Sequence, residues 1–187
     1  MRVDDGRRAK LRAAFDAHYE AVSRYCHRRL PAGDANDAAA QVFAVAWRKI
    51  DQMPNGEGTL PWLYGVARYE VSSFRRSSLR RRNLQQKLES QAPDSEPGPE
   101  TVVLRHSEQS ELMTALQSLR PADQEVLRLR ALEGLSVREV SVALDCTVEA
   151  AKKRSARAMR RLRRAAGIGS LSTAATDGVA IEEGGSP

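Results

Sequence analysis

The sequence predicts an all-α protein in which two small helical domains are joined by a flexible linker. Apolar residues recur at intervals of three and four along most of the chain, which is the spacing of amphipathic helices. This periodicity fails between about residues 91 and 100, where three prolines stand among acidic residues. Such a stretch cannot continue a helix or bury a core. A length of 187 residues is sufficient for two domains of this kind.

The first domain is predicted to span residues 1–84 and to contain three helices. Its first helix covers about residues 5–29 and ends at a Pro-Ala-Gly break. Asp34 is suited to cap the second helix, which continues to about residue 50. A loop over residues 51–59 then leads to the third helix.

The third helix begins near Pro61 and interleaves aromatic rings with arginines. The residues concerned are Trp62, Tyr64, Arg68, Tyr69, Phe74, Arg75, Arg76, Arg80, Arg81 and Arg82. Rings of this kind can stack on unpaired bases while the arginines contact phosphate. The same spacing also fits rings that belong to the core and arginines that face water. Spacing alone leaves both interpretations open.

An acidic linker is predicted over residues 85–111, and a disordered or only locally ordered tail over residues 167–187. Between them, residues 112–166 are predicted to form a helix-turn-helix domain. Pro121 suits the first turn of a helix, and Gly134 ends that helix. Ser136 with Glu three residues later forms a capping box, so a second helix begins there.

The last helix of this domain begins near Val148, after Thr147 as its cap, and is strongly basic. It carries eight basic and no acidic residues between positions 152 and 164: Lys152, Lys153, Arg154, Arg157, Arg160, Arg161, Arg163 and Arg164. A narrow stripe of small or apolar residues remains for packing: Val148, Ala151, Ser155, Ala158 and Leu162. A solvated helix would usually interleave glutamate with its cations, so the pattern favours nucleic-acid binding.

Composition agrees with an anionic partner. The formal charge is +6 and the pI is about 9.7. The two cysteines, Cys26 and Cys146, lie far apart and suggest neither a disulfide framework nor a metal site. His18, His27 and His106 are scattered, so we expect no catalytic residue, no metal and no cofactor. Neither a signal peptide nor a membrane span is apparent, and we therefore expect a soluble cytoplasmic protein.

Three segments together resemble a known family. They read GDANDAAAQVFAVAW, then GEGTLPWLYGVARYEVSSFRR, and after the linker LRPADQEVLRLRALEGLSVREVSVAL. In this order they are similar to the two domains of bacterial extracytoplasmic-function (ECF, group 4) sigma factors of the sigma-70 family, over roughly residues 10–82 and 112–164. The resemblance implies a sigma-2-like helical bundle and a sigma-4-like helix-turn-helix. It also implies a subunit that directs core RNA polymerase to promoters.

The resemblance further implies roles for individual residues. Docking on the polymerase clamp helices would use the second helix, through Asp34, Asp37, Gln41, Phe43 and Trp47. Capture of the melted minus-10 element would use the loop 53–59 with Trp62, Tyr64, Arg68, Tyr69, Arg75 and Arg76. Reading of the minus-35 duplex would use Lys152, Lys153, Arg154, Arg157, Arg160 and Arg161. The chain departs from the family pattern at Ala40-Gln41, where Gln-Glu is common, and at Tyr69, where Asn is common.

Two other classes of protein share some of these sequence features. A stand-alone helix-turn-helix regulator would explain the second domain, but it usually dimerises, and the chain offers no clear dimer helix. A DNA-acting enzyme such as a serine recombinase would need a strand-rich catalytic domain and a poised serine, and neither is visible. As a sigma factor the chain would be a monomer when free. Its partners would be the clamp helices and flap of core RNA polymerase, promoter DNA and, in many family members, an anti-sigma factor.

Overall fold

The computed structural model describes residues 2–89 and 108–167, and these residues form helices without any strand. There are seven α-helices in these two stretches, together with one 3₁₀ turn at Gly56–Gly58. The helices are α1 (Arg2–His27), α2 (Ala32–Arg48), α3 (Thr59–Glu89), α4 (Glu108–Ser118), α5 (Pro121–Ala131), α6 (Val137–Ala143) and α7 (Val148–Ala165). The predicted all-α fold class is confirmed. The tail beyond residue 167, most of the linker and His106 lie outside the described residues.

The first three helices form a bundle whose close packing depends on small residues of α2. Ala35, Ala38, Ala39 and Ala46 are all fully buried, together with Val42. With so little side-chain volume on this face, α1 and α3 can both approach α2 closely. The core is completed by larger groups from the two flanking helices, notably Val22, Tyr25 and Leu63.

The beginning of α2 corrects one prediction. The helix begins at Ala32 with Pro31 as its N-cap, and no side chain caps it. Asp34 lies inside the first turn instead, where its carboxylate accepts a hydrogen bond from Ser78 Oγ at 3.1 Å and lies 3.7 Å from Arg81. The acid still faces the positive end of the helix dipole, but its partners are on α3. Because α2 begins two residues earlier than predicted, Asp34 lies within the helix, and its side chain connects α2 to α3.

The helix-turn-helix forms as the local signals predict. Ser136 Oγ accepts from the Glu139 N–H at 3.2 Å, and the Glu139 carboxylate accepts from the Ser136 N–H at 2.7 Å, so the capping box is complete. Thr147 Oγ1 accepts from the Ala150 N–H at 3.2 Å and begins α7. Asp145 adopts a positive φ of 48° in the turn between α6 and α7. Asp tolerates this left-handed conformation better than most residues.

Two details of the second half differ from prediction. Val148 does not belong to the packing stripe of α7, because it lies at the first helical position and remains 48% exposed. Helix α4 was not predicted as a separate element. Its Leu116 packs, together with Leu119 and Leu162, against a small core of Val126, Leu127 and Ala158.

The two helical halves pack against each other through α3 and α6. At the closest approach, a Cβ atom added to Gly65 of α3 would lie 3.2 Å from the Ala143 carbonyl oxygen. Five residues of the second half belong to the same core cluster as the first bundle: Leu129, Leu135, Val140, Ala143 and Ala151. None of the helices in the described part of the chain is long and apolar enough to cross a membrane.

Candidate nucleic-acid interface

Helix α7 presents a continuous basic face to solvent. Its packing face is very narrow, with Ala151 and Ala158 fully buried seven residues apart. Seven of its cations are exposed: Lys152, Lys153, Arg154, Arg157, Arg160, Arg163 and Arg164. Within this helix the acidic residue is Glu149 in the first turn, and its carboxylate lies 3.6 Å from Lys153 Nζ. The rest of the face is free to meet phosphate or base edges.

Arg161 differs from its basic neighbours. Its guanidinium forms an ion pair with the carboxylate of Asp123 on α5. Asp123 is only 8% exposed, so this contact is directed inward and fixes α7 against α5. Of the six residues predicted to read the minus-35 duplex, Arg161 is therefore the one whose charge is paired within the protein and holds α7 against α5.

The aromatic residues of α3 separate into core and surface. Tyr64 is 3% exposed, its ring centroid lies 5.2 Å from that of Tyr25, and burial raises the pKa of its hydroxyl to about 12, with a smaller contribution from the charge of Glu133. Trp62 is half-buried against the same core. Tyr69 is 61% exposed, and the Arg68 guanidinium lies 4.6 Å from its ring centroid. The core interpretation is thus confirmed for Tyr64, whereas base stacking stays a prediction for Tyr69, whose ring is accessible.

The arginines further along α3 also divide. Arg75 donates two hydrogen bonds to the Arg29 carbonyl, from Nη2 at 2.9 Å and from Nε at 3.3 Å, so much of its capacity is used inside the protein. Arg76 is exposed and donates to Ser72 Oγ at 2.8 Å. Arg68 Nε is buried without a hydrogen-bond partner. The hydrogen bond of Arg76 stays within α3, whereas those of Arg75 reach Arg29, just beyond α1.

The loop before α3 is held in place from two sides. The Met53 side chain is buried, and the Met53 carbonyl accepts a hydrogen bond from Lys10 Nζ. Thr59 Oγ1 donates to the Pro54 carbonyl at 2.9 Å. A pocket opens between this loop and α1, where His18 lies in a partly buried position that lowers its pKa. The loop is therefore fixed relative to α1 and α3.

Helix α2 exposes part of its predicted docking set. Asp37 and Gln41 face solvent, whereas Phe43 is buried and Trp47 is half-buried, with the Arg7 guanidinium 5.6 Å from its ring centroid. Asp34 is engaged with α3, as described above. Of the five predicted docking residues, Asp37 and Gln41 are therefore the two exposed for direct polar contact with a partner.

Sequence reasoning missed an exposed aromatic pair beside this face. Phe15 and Tyr19 of α1 stack at 4.7 Å, and Phe15 meets Phe43 edge-on at 4.9 Å. Their exposed fractions are 42% and 39%. Phe15 and Tyr19 recur with the three- and four-residue spacing that predicts a core stripe along α1. This spacing does not indicate where along the helix the core ends.

Sequence reasoning also missed a buried ionic cluster between the halves. The Arg29 guanidinium contacts the carboxylates of Glu125 and Glu133, and it lies 3.5 Å from the Tyr25 ring centroid. Burial alone would lower the pKa of Arg29, but Tyr25 and the two glutamates outweigh it and raise the pKa. These partners stand about a hundred positions apart, so no local pattern could indicate them.

Comparison with known proteins places this geometry in a family. Residues 109–162, which comprise α4 to α7, match the family model for sigma-70, region 4. The chain is 27% identical over 136 residues to the RNA polymerase sigma factor NccH of Alcaligenes xylosoxydans xylosoxydans, covering 71% of this chain and 73% of that protein. It is 26% identical to the ECF RNA polymerase sigma-E factor of Escherichia coli K12, over 84% and 86% of the two chains. By these matches the chain is similar to ECF sigma factors over 84% of its length.

Solved structures share the fold of this chain. The sigma factor RpoE of Bartonella quintana, in complex with the anti-sigma factor NepR, superposes with a TM-score of 0.54 at 18% identity, over 84% of this chain and 96% of that chain. CnrH in complex with the cytosolic domain of CnrY gives a TM-score of 0.54 at 19% identity, over 82% and 85%. At these identities the likeness establishes the fold.

Proposed function

We propose that this sigma factor binds core RNA polymerase and directs it to promoters, with α7 reading the minus-35 duplex and α3 with its preceding loop holding the melted minus-10 strand. The observation that carries the proposal is the division of surfaces in one chain. A capped helix-turn-helix presents seven exposed cations, and a separate bundle presents an exposed tyrosine beside arginine. The proposed domains remain residues 1–84 and 112–166, although α3 continues to Glu89.

The minus-35 surface follows from the shape of the major groove. The groove accepts one α-helix, and arginine or lysine can bond guanine edges bidentately. Lys152, Lys153 and Arg154 lie in the first half of α7, the part of a reading helix that contacts bases, and Arg157 follows just after the midpoint of the helix. Arg160 lies one turn further on and is assigned to phosphate. Arg161 is assigned a positioning role, because its charge is already paired with Asp123.

The minus-10 surface follows from base stacking. Tyr69 offers an accessible ring, and Arg68 beside it adds positive charge for an unpaired strand. Trp62 begins the same helix and is half-accessible, whereas Tyr64 supports the surface from inside the core. A tyrosine can stack on a base but cannot pair with its edge as Asn does. We therefore assign stacking, and not edge recognition, to Tyr69.

Docking on the polymerase is assigned to α2 and the adjoining face of α1. Asp37 and Gln41 supply polar contacts, and the Phe15–Tyr19 pair supplies an exposed apolar surface next to them. Aromatic groups of this kind are enriched where proteins bind proteins. The chain itself is assigned no chemical step, since bond formation belongs to the polymerase. A sigma factor acts where polymerase and chromosome meet, so we propose a cytoplasmic site of action.

Separate binding measurements with core polymerase and with DNA test this division. Labelled full-length chain is titrated with core RNA polymerase, and then with a pool of duplex promoter fragments from the source genome. Replacing both Asp37 and Gln41 by Ala should weaken polymerase binding and leave duplex binding intact. Replacing both Lys152 and Arg154 by Ala should weaken duplex binding and leave polymerase binding intact. Arg24→Ala is the matched control, because it removes an exposed cation of α1 that lies nine residues, or about two and a half turns, after Phe15 and therefore on the opposite face of the helix.

The two outcomes separate the candidate functions. Binding to core polymerase that depends on α2, with duplex binding that depends on α7, supports the sigma mechanism. Duplex binding without any association with core polymerase would indicate a stand-alone helix-turn-helix regulator and would overturn the proposal.

A further inference from the structure

Glu149 stands in the first turn of α7, on the side of the helix that faces away from the protein. Its side chain is 67% exposed, whereas Ala151 is fully buried. At 3.6 residues per turn the two residues lie about 200° apart round the helix, so they point in opposite directions. Lys153 and Ala156 follow Glu149 at spacings of four and seven, and both are exposed. Glu149 therefore begins the line of side chains that points farthest from the core.

Cations stand on both sides of this line. Lys152 lies about 60° to one side of Glu149, and Arg157 lies about 80° to the other. Both are exposed. The major groove of DNA is about 12 Å wide, with phosphates along its two walls and base edges on its floor. With the outward line of α7 directed at the floor, the flanking cations can reach either wall, and Glu149 points at the bases.

A carboxylate in this place finds few suitable partners on DNA. An ionised carboxylate only accepts hydrogen bonds, so phosphate oxygens repel it. The major-groove edges of guanine offer acceptors alone, and thymine offers an acceptor and a methyl group. Donors are the N4 amino group of cytosine and the N6 amino group of adenine, and adenine places the acceptor N7 beside its amino group. Cytosine is therefore the base that a carboxylate complements best.

We propose that Glu149 is a specificity-determining residue of α7, which accepts a hydrogen bond from the N4 amino group of a cytosine in the duplex element that this helix reads. The proposal rests on the duplex reading assigned to α7 above, and it names a base for one side chain of that surface. The cations of α7 can bond guanine edges or phosphate. Glu149 presents the opposite charge to the same groove and so selects a different base.

The local interactions of Glu149 leave its carboxylate available for this contact. Thr147 Oγ1 already caps α7 by accepting from the Ala150 N–H. The Glu149 carboxylate lies 3.6 Å from Lys153 Nζ, and the two side chains are 67% and 70% exposed. An ion pair this open to water contributes little to stability. The carboxylate can therefore leave Lys153 when the duplex binds.

Base reading and a purely local role predict effects of opposite sign for Glu149→Gln. If Glu149 contacts no base, the substitution removes a negative charge from a DNA-binding face, so every duplex should bind more tightly and the preferred sequence should stay the same. If Glu149 reads cytosine, the preferred duplex should bind about five- to tenfold less tightly. Glutamine pairs with adenine through N6 and N7, so the preference at that position should move from cytosine to adenine.

The experiment selects duplexes from a randomised pool with the full-length chain assembled with core polymerase, and the retained duplexes are sequenced. Wild type is compared with Glu149→Gln, with Glu149→Ala and with the matched control Glu20→Gln. Glu20 is likewise an exposed carboxylate paired with a cation four residues later, but it lies on α1. Circular dichroism checks that all four proteins keep their helix content. Titration with the preferred duplex, and with the same duplex carrying adenine for the cytosine, then gives each Kd.

We expect cytosine at one position for wild type and control, adenine there for Glu149→Gln, and no preference there for Glu149→Ala. That position should lie in the part of the sequence whose selection is lost when Lys152 and Arg154 are both replaced by Ala.

Every other result counts against the proposal at a definite level. An unchanged preference in both Glu149 variants, or tighter binding of the preferred duplex by them, would overturn the role of Glu149 and leave reading by α7 intact. A preference that moves at several positions together would indicate a shift of the whole helix and would also overturn it. A selected sequence that survives replacement of Lys152 and Arg154 would refute duplex reading by α7 itself.

Discussion

Arg160 and Arg161 are adjacent cations of α7 that should respond in opposite ways to truncation. Arg160 is exposed, whereas Arg161 is paired with Asp123, which is 8% exposed. Arg161→Ala leaves the Asp123 carboxylate buried without a partner. Arg160→Ala removes a charge that faces solvent.

The expected magnitudes follow from this difference in burial. Breaking a fully buried ion pair costs about 3–5 kcal/mol, but the Arg161 side chain is 39% exposed, so about 2 kcal/mol is expected. For a protein of this size that corresponds to a Tm lower by about 4–8 °C. Arg160→Ala should change stability by less than about 0.5 kcal/mol. It should instead make the negative slope of log K against log salt concentration for duplex binding less steep by about 0.9, which is the change expected for the loss of one phosphate contact.

Thermal unfolding and salt-dependent duplex binding measure the two effects on the same proteins. Replacing both Arg161 by Ala and Asp123 by Asn should recover part of the lost stability, because no uncompensated charge then remains. An Arg161→Ala protein as stable as wild type would refute the positioning role. An equal loss of steepness in the salt dependence for both truncations would also refute it, since Arg161 would then be contacting phosphate.

Three further predictions concern other parts of the molecule. Hydrogen bonds from Ser136 lower the pKa of Glu139 below its ordinary value of 4.5, so the capping box stabilises the fold above pH 4.5 and loses this contribution as the pH falls further. Ser136→Ala should therefore lower the free energy of unfolding by about 1 kcal/mol near neutral pH. Below pH 4.5 the stability of this variant should depend less on pH than that of the wild type. Burial raises the pKa of Cys26 to about 11, so Ellman's reagent at pH 8 should modify the half-buried Cys146 first, and equal rates would contradict the described packing. In open complexes with polymerase, Tyr69→Phe should retain permanganate reactivity of melted minus-10 thymines and Tyr69→Ala should lose most of it, because stacking needs only the ring; equal loss would indicate a role for the hydroxyl.

Local chemistry made the helix-turn-helix predictable. The Ser136–Glu139 box and the Thr147 cap are contacts between residues three positions apart. The local sequence pattern is therefore sufficient to predict these hydrogen bonds. The basic face of α7 is likewise a property of one helix. The exposure of this face could be predicted from the sequence, because a surface made of so many cations cannot be placed in a protein core.

Contacts between distant residues were not predictable from pattern. Tyr64 and Tyr69 have the same aromatic character and lie five positions apart, yet one is buried near Glu133 and the other faces solvent. What separates them is the position of the second half of the chain. Asp34 illustrates the same limit, because its partners, Ser78 and Arg81, lie more than forty residues away on α3.

The most direct measurement of the sigma function is run-off transcription with purified core RNA polymerase on a pool of promoter fragments from the source genome. Core polymerase alone should give no discrete start sites, and adding this chain should create them. Those starts should disappear when Trp62 is replaced by Ala, or when Lys152 and Arg154 are both replaced by Ala, and they should persist with Arg24→Ala. A chain that binds duplex DNA but creates no new start sites would contradict the account.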